Sequence, residues 1–202
     1  MNFFFLASFI IFILLLSRIL KRQEQKRISN EQGFWDREQQ ANSVRRKSLD
    51  TLEYIQIPLD KLPVAILPDN ADVAECRELI QTLSSQKIVN LTGYTNTDLK
   101  LEYGTANITA LSEYDQNYTL LVRTLQQWAD ILMDAGYVYE AGVLMEFAVS
   151  TGTDISKTYY KLAEIYSSRG DSFQIQQLLE SAGKLRTANR NTIVRTLQEA
   201  YR

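Results

Sequence analysis

The chain has 202 residues, with 22 Lys and Arg against 24 Asp and Glu, a formal net charge of −2, no histidine, one cysteine and three prolines. Absent histidine excludes Ser-His-Asp and Cys-His catalysis, imidazole bases and histidine-containing zinc sites, and a single cysteine excludes intrachain disulfides and CxxC centres. With 45% apolar residues the length suits one modest domain with appendages, and metal sites made only of carboxylates stay open.

Residues 1–17 (MNFFFLASFIIFILLLS) carry no charge and hold five of the eight phenylalanines. A helix through them would be about 25 Å long, and with Ile19, Leu20 and a snorkelling Arg18 it reaches the roughly 30 Å of a bilayer core. A cleaved signal peptide needs a basic stretch before the apolar run and a small-x-small site after it; neither is present. Residues 1–20 are therefore expected to be a transmembrane anchor. The membrane-flanking basic residues Arg18, Lys21, Arg22, Lys26 and Arg27 all follow it. By the positive-inside tendency they place the rest of the chain in the cytoplasm, at the cell membrane. The unpaired Cys76 agrees with that compartment. Three N-x-T triplets, at Asn90, Asn107 and Asn117, are read as chance on this topology.

Residues 21–47 form a polar, proline-free stalk expected to be helical or loosely so. From residue 18 to 47 there are nine basic and four acidic groups, a net +5, and residues 48–202 carry 13 basic and 20 acidic groups, a net −7. The basic collar could attract anionic headgroups. Nucleic acid is not an expected partner, because the acidic domain behind the collar repels phosphate. Phe34-Trp35 is an apolar pair that either docks on the domain or sits at the membrane interface. Residues 48–70 contain all the prolines, Pro58, Pro63 and Pro68, which bar a regular helix. The apolar alternation there predicts an extended strap lying on the domain.

A helical domain is expected over 71–202. Asp69, Asn70 and Asp72 offer N-caps to an apolar stripe of Val73, Cys76, Leu79, Ile80 and Leu83, on which Cys76 reads as a buried structural thiol. Lys87–Gly104 reads as a turn, with Thr95 or Thr97 capping a short helix through Leu101. Its polar set Asn96, Thr97, Asp98 and Lys100 forms a second candidate surface for a partner, although capping and turn chemistry explain the same residues. Beyond Ala106 the apolar period is helical. Residues 122–155 laid on 156–189, an offset of 34, give eight identities, among them Ala129/Ala163, Gly136/Gly170, Leu144/Leu178 and Ala148/Ala182. Chance at typical composition gives roughly two.

A 34-residue period resembles the tetratricopeptide repeat, two antiparallel helices per unit. Leu125, Trp128, Ala129 and Leu132 look like the buried face of a first helix. Gly136-Tyr137 looks like the turn, and Ala141, Met145 and Ala148 like the packing face of a second helix. In the next unit these roles fall to Tyr159, Leu162, Ala163 and Tyr166, then Gly170, then Ile175, Leu179 and Ala182. Ile175 departs from the small residue of the family pattern, and Thr153 and Thr187 stand where a proline usually closes a unit. Residues 190–202 would be a cap helix. The layout also resembles bacterial proteins with one N-terminal anchor and a repeat domain. The implied fold is all-α, antiparallel helical hairpins stacked as a TPR-like α-solenoid behind a transmembrane helix.

The resemblance implies a concave surface that binds extended or helical peptides, lined by Arg123, Gln126, Asp130 and Met133 of one unit and Lys157, Tyr160, Glu164 and Ser167 of the next. The basic residues needed to clamp a C-terminal carboxylate are missing there, and Asp130 with Glu164 favours a neutral or basic peptide. No Gly-rich phosphate loop, metal-spacing cluster or Ser-centred elbow occurs. No catalytic residue, metal or cofactor is therefore assigned. The expected function is a membrane-anchored cytoplasmic adaptor or scaffold for protein or peptide partners, with self-association possible. The alternatives are an extracytoplasmic accessory factor of secretion or envelope assembly and, more weakly, an enzyme using carboxylates.

Overall fold

A computed structural model describes the backbone of residues 3–201 and the side chains of residues 12, 16–28 and 30–201. Every regular element among the described residues is helical. These are α1 (Phe3–Ser43), α2 (Ala71–Leu83), α3 (Asn96–Tyr103), a 3-10 turn (Thr105–Asn107), α4 (Ile108–Asp134), α5 (Val138–Ser150), α6 (Ser156–Ser168), α7 (Ser172–Gly183) and α8 (Arg190–Ala200). The expected anchor, residues 1–20, falls mostly on residues whose side chains lie outside that description. Among the described residues no helix is long and apolar enough to cross a membrane.

The chain divides into two compact units, residues 1–47 with 95–108, and residues 48–94 with 109–202. In the first, the C-terminal part of α1 packs against α3 and the 3-10 turn. Thr95 starts α3 with a capping box, its side chain accepting from the Asp98 N–H while the Asp98 carboxylate accepts from the Thr95 N–H. This satisfies two donors that a helix start leaves open. Gly104 ends α3 at φ +87°, and a Cβ there would stand 2.4 Å from the Arg45 carbonyl oxygen, so only glycine admits this close approach. Asn107 is fully buried; its amide donates to the Lys47 and Tyr103 carbonyls at 2.8 and 2.7 Å and its oxygen accepts from Arg46 Nε at 3.0 Å. One asparagine thus fastens the end of the stalk segment to the α3 turn. The helical domain expected over 71–202 is therefore interrupted: α3 belongs to the unit of α1.

The second unit is built on the repeat. Helix starts recur 34 residues apart at Val138/Ser172 and Ser156/Arg190, and helix ends at Asp134/Ser168. The stops are chemically the same. Tyr137 N–H donates to the Leu132 carbonyl and Gly136 N–H to that of Met133; Asp171 and Gly170 do likewise to Tyr166 and Ser167. That is a Schellman stop, and both glycines have positive φ, +85° and +69°. Leu125, Trp128, Ala129 and Leu132 are buried on α4, and Tyr159, Leu162, Ala163 and Tyr166 at the equivalent places on α6. Ala141, Met145 and Ala148 on α5, and Ile175 and Ala182 on α7, are also buried, whereas Leu179 is only partly so. Consecutive helices from α5 to α8 pack together, and α5 also touches α7 as α6 touches α8. Beyond Gly183 the likeness fades, since α5 stops at Gly152 with φ +76° while α7 ends on Lys184 in a right-handed conformation.

Two non-helical segments close this core. Residues 48–70 contain no helix; Ile55, Ile57, Leu59, Leu62, Ile66 and Leu67 lie on the core, and Ile55 N–H donates to the Ile88 carbonyl. Asn90 is the hub of the other. Its amide donates to the Tyr118 hydroxyl at 2.9 Å and to the Thr151 and Gly152 carbonyls at 2.9 and 3.2 Å, while its oxygen accepts from Thr92 N–H. Tyr118 is buried, which pushes its phenol pKa up. Cys76 is buried on α2 with its thiol pKa raised by desolvation, the environment of an inert structural thiol.

Candidate functional site

The eight residues expected on a binding face divide into a fixed set and a free set. Thr158 Oγ1 donates to Gln126 Oε1 at 2.6 Å, Gln126 Nε2 donates to Asp130 Oδ1 at 2.9 Å, and Lys157 Nζ donates to Asp130 Oδ2 at 2.7 Å. This relay ties α4 to α6, the two first helices of successive repeats, and its inner members Thr158 and Gln126 are buried. Buried polar groups cost stability unless paired, so Gln126 is committed to holding the helices in register. Glu164 is exposed and bonded at 2.8 Å to Lys161, whose ammonium pKa it raises. Both acids expected to read a basic peptide are therefore already neutralised by lysines of α6. Met133 and Tyr160 are half-buried against the core, and Arg123 and Ser167 are exposed.

The face that remains open is displaced towards α2. A depression of about 490 Å³ is lined by Asp72, Arg123, Gln126, Gln127, Asp130, Ile131, Asp134 and Ile155. Arg123, Gln127, Asp130 and Asp134 follow one another at helical spacing along α4, and Ile131 and Ile155 supply apolar contact. Glu164, Tyr160, Met133, Lys157 and Ser167 do not line it. Asp72 and Asp134 are exposed, and neither carries an ion pair among the described residues. The polar stripe on α4 was readable from its spacing; Asp72 was not, because only folding brings a residue 51 positions before Arg123 to the same face.

The second candidate surface is occupied by the chain itself. Arg37 of α1 pairs with Asp98, and Glu38 accepts from Thr97 Oγ1 at 2.6 Å and pairs with Lys100. The Lys100 and Thr97 hydrogen bonds hold the Glu38 carboxyl below its ordinary pKa. Those of Thr95 and the charge of Arg37 do the same for Asp98. Of the four residues named for this surface, Thr97, Asp98 and Lys100 are spent on docking the stalk, and Asn96 is exposed.

On α1, Arg18, Lys21, Arg22 and Lys26 are exposed and lie at three- and four-residue steps along one side of the helix, while Arg27 pairs with Glu24 at 2.8 Å. Phe34 and Trp35 meet edge to face at 5.5 Å and are mostly exposed. Among the described residues there is no group of three or more His, Cys, Asp or Glu that could hold a metal ion. Compared with models of protein families, with curated proteins and with solved structures, the chain matches none.

Proposed function

We propose that the chain is a single-pass, membrane-anchored adaptor whose helical domain lies in the cytoplasm and binds a neutral or basic protein segment. The observation that carries this reading is the 34-residue recurrence, which extends from side chains to helix boundaries and to the paired Schellman stops at Gly136 and Gly170. A TPR-like stack of hairpins is the economical account of such recurrence, because each hairpin can bury its apolar face only against a neighbour. Unpaired Asp72 and Asp134 at the rim of the depression favour a partner carrying Lys or Arg, and Ile131 and Ile155 favour an apolar side chain beside it. The uncharged run 1–17 and the basic residues after it support the anchor and its orientation.

The test is recovery of partners from solubilised membranes by the wild-type chain and by the double variant Asp72→Lys/Asp134→Lys. Both positions are exposed, so the fold tolerates the change. The expected result is loss of the partners that the wild type holds, with the helical circular dichroism unchanged. Retention of every partner overturns the assignment of the depression.

A further inference from the structure

A second cavity, of about 420 Å³, opens between the proline-marked strap, α2 and α4. Leu59 and Val64 of the strap, Arg77, Glu78, Ile80 and Gln81 of α2, and Trp128 of α4 line it. Its chemistry is graded. Ile80 and Trp128 are fully buried, Leu59 is half-buried, and Val64, Glu78 and Gln81 are exposed at the mouth. The strap is held over it rather than laid loosely. Arg77 Nη1 donates to the Val64 carbonyl at 2.8 Å and Nη2 to the Pro68 carbonyl at 3.1 Å. Between those two anchor points Leu67 sits at φ +52°, a left-handed conformation that a leucine keeps only when its surroundings impose it.

Trp128 carries the one buried side-chain donor without a partner among the described residues, its Nε1–H. An indole N–H can only donate, and a buried donor left unpaired is strongly disfavoured, so it selects for anything that brings an acceptor. Arg77 is the one cation in the lining and both its terminal nitrogens are already donating, which leaves nothing to neutralise an anion. Apolar inner walls, one waiting donor and no free positive charge define the complement: a neutral, compact apolar molecule with a single acceptor oxygen, such as a ketone or an ester.

We propose that the strap–α2–α4 cavity is a binding site for a small neutral carbonyl compound whose oxygen accepts a hydrogen bond from Trp128 Nε1. The site is separate from the acidic depression and does not depend on the adaptor reading.

The chain has only two tryptophans, so the full-length protein labelled with 15N-tryptophan in lipid nanodiscs gives two indole signals, and Trp35→Phe assigns them. The probes are cyclohexanone and methylenecyclohexane, alike in shape but differing in the acceptor, with binding also followed on the Ile80 methyl signal. The expected result is a downfield shift of the Trp128 indole proton with cyclohexanone alone, and binding about tenfold tighter than that of methylenecyclohexane, the worth of one hydrogen bond of about 1.4 kcal/mol. In Trp128→Phe the two probes should bind equally, as read at Ile80. Equal affinities in the wild type, or a Trp128 signal that does not move with cyclohexanone at saturation, would overturn the proposal. So would a Trp128 indole that stays bonded to an ordered water when the probe is bound.

Discussion

Gly136 and Gly93 both have positive φ, +85° and +90°, yet their replacement should cost different amounts. At Gly136 a Cβ would meet nothing within 4 Å, so alanine there brings only the strain of a left-handed L-residue. That is worth about 1 kcal/mol. At Gly93 the added carbon would stand 2.6 Å from the Arg186 carbonyl oxygen and 2.7 Å from its Cβ, so strain and a backbone clash combine. Gly93→Ala should therefore destabilise by roughly 2–4 kcal/mol, read as a shift in the urea midpoint at unchanged slope. Equal shifts for the two variants would contradict the contact at Gly93. Gly170 repeats the Gly136 environment, so Gly170→Ala should match Gly136→Ala within the error of the measurement. Asn90 gives a complementary case in side-chain chemistry. Alanine there leaves the Thr151 and Gly152 carbonyls without their donor and loses the bond to Tyr118, for which about 2 kcal/mol is the expected loss of stability.

Among elements, the contact of α1 with α3 differs in kind from the packing of α4 to α8. The helices of the repeat meet through buried Leu, Ala, Met and aromatic side chains, whereas α1 meets α3 mainly through Arg37–Asp98, Glu38–Lys100 and the hydrogen bonds of Asn107. Such a contact should respond to pH. Glu38 and Asp98 both have folded pKa values below the usual carboxylate range. Their stabilisation is therefore complete above the ordinary carboxylate pKa and is lost as pH falls through the lowered folded values. Hydrogen-exchange protection of the α3 amides, corrected for intrinsic rates, should be constant near neutrality and fall below about pH 4, while α5 and α6 stay protected. Glu38→Gln should remove part of that pH dependence; an unchanged profile would show that the pair does not hold the contact. The same difference in kind decides what could be read in the sequence. Leu125, Trp128, Ala129 and Leu132 were legible because an apolar face repeats at helical spacing and again 34 residues on. The docking of α3 on the stalk was illegible because charged side chains some 60 residues apart leave no periodic trace, and the same charges had suggested a free surface. For the candidate site the α4 stripe was readable by its spacing, but the lysines that neutralise Asp130 and Glu164 shifted the open face to Asp72 and Asp134. The orphan indole of Trp128 had no signature, since its position is that of any buried aromatic.

For the whole molecule the near-neutral net charge conceals a segregation, +5 over residues 18–47 and −7 over residues 48–202. Under the proposed topology this division has two effects of one sign. The cations flanking the anchor resist translocation and sit beside a surface rich in anionic lipid, while the acidic domain behind them is repelled from it. A helix that continues to Ser43 lengthens the separation, because the 23 residues from Lys21 onward span about 35 Å at 1.5 Å each. Neutralising Arg18, Lys21, Arg22, Lys26 and Arg27 together to Gln should therefore change orientation without changing the fold, since all five are exposed and only Arg27 is ion-paired, with a neighbour on its own helix. A reporter fused after Arg202 and active only in the cytoplasm should give full signal in the wild type, and the fivefold variant should lose roughly half or more of it as part of the population inserts the other way. Neutralising Arg45, Arg46 and Lys47 instead removes three positive charges about 37 Å or more from Leu20 along the helical rise, beyond the reach of the membrane surface at physiological ionic strength. That control should leave the signal unchanged. A wild-type reporter silent in the cytoplasm and active outside it would place the acidic depression in the other compartment, and with it the partner that Asp72 and Asp134 select.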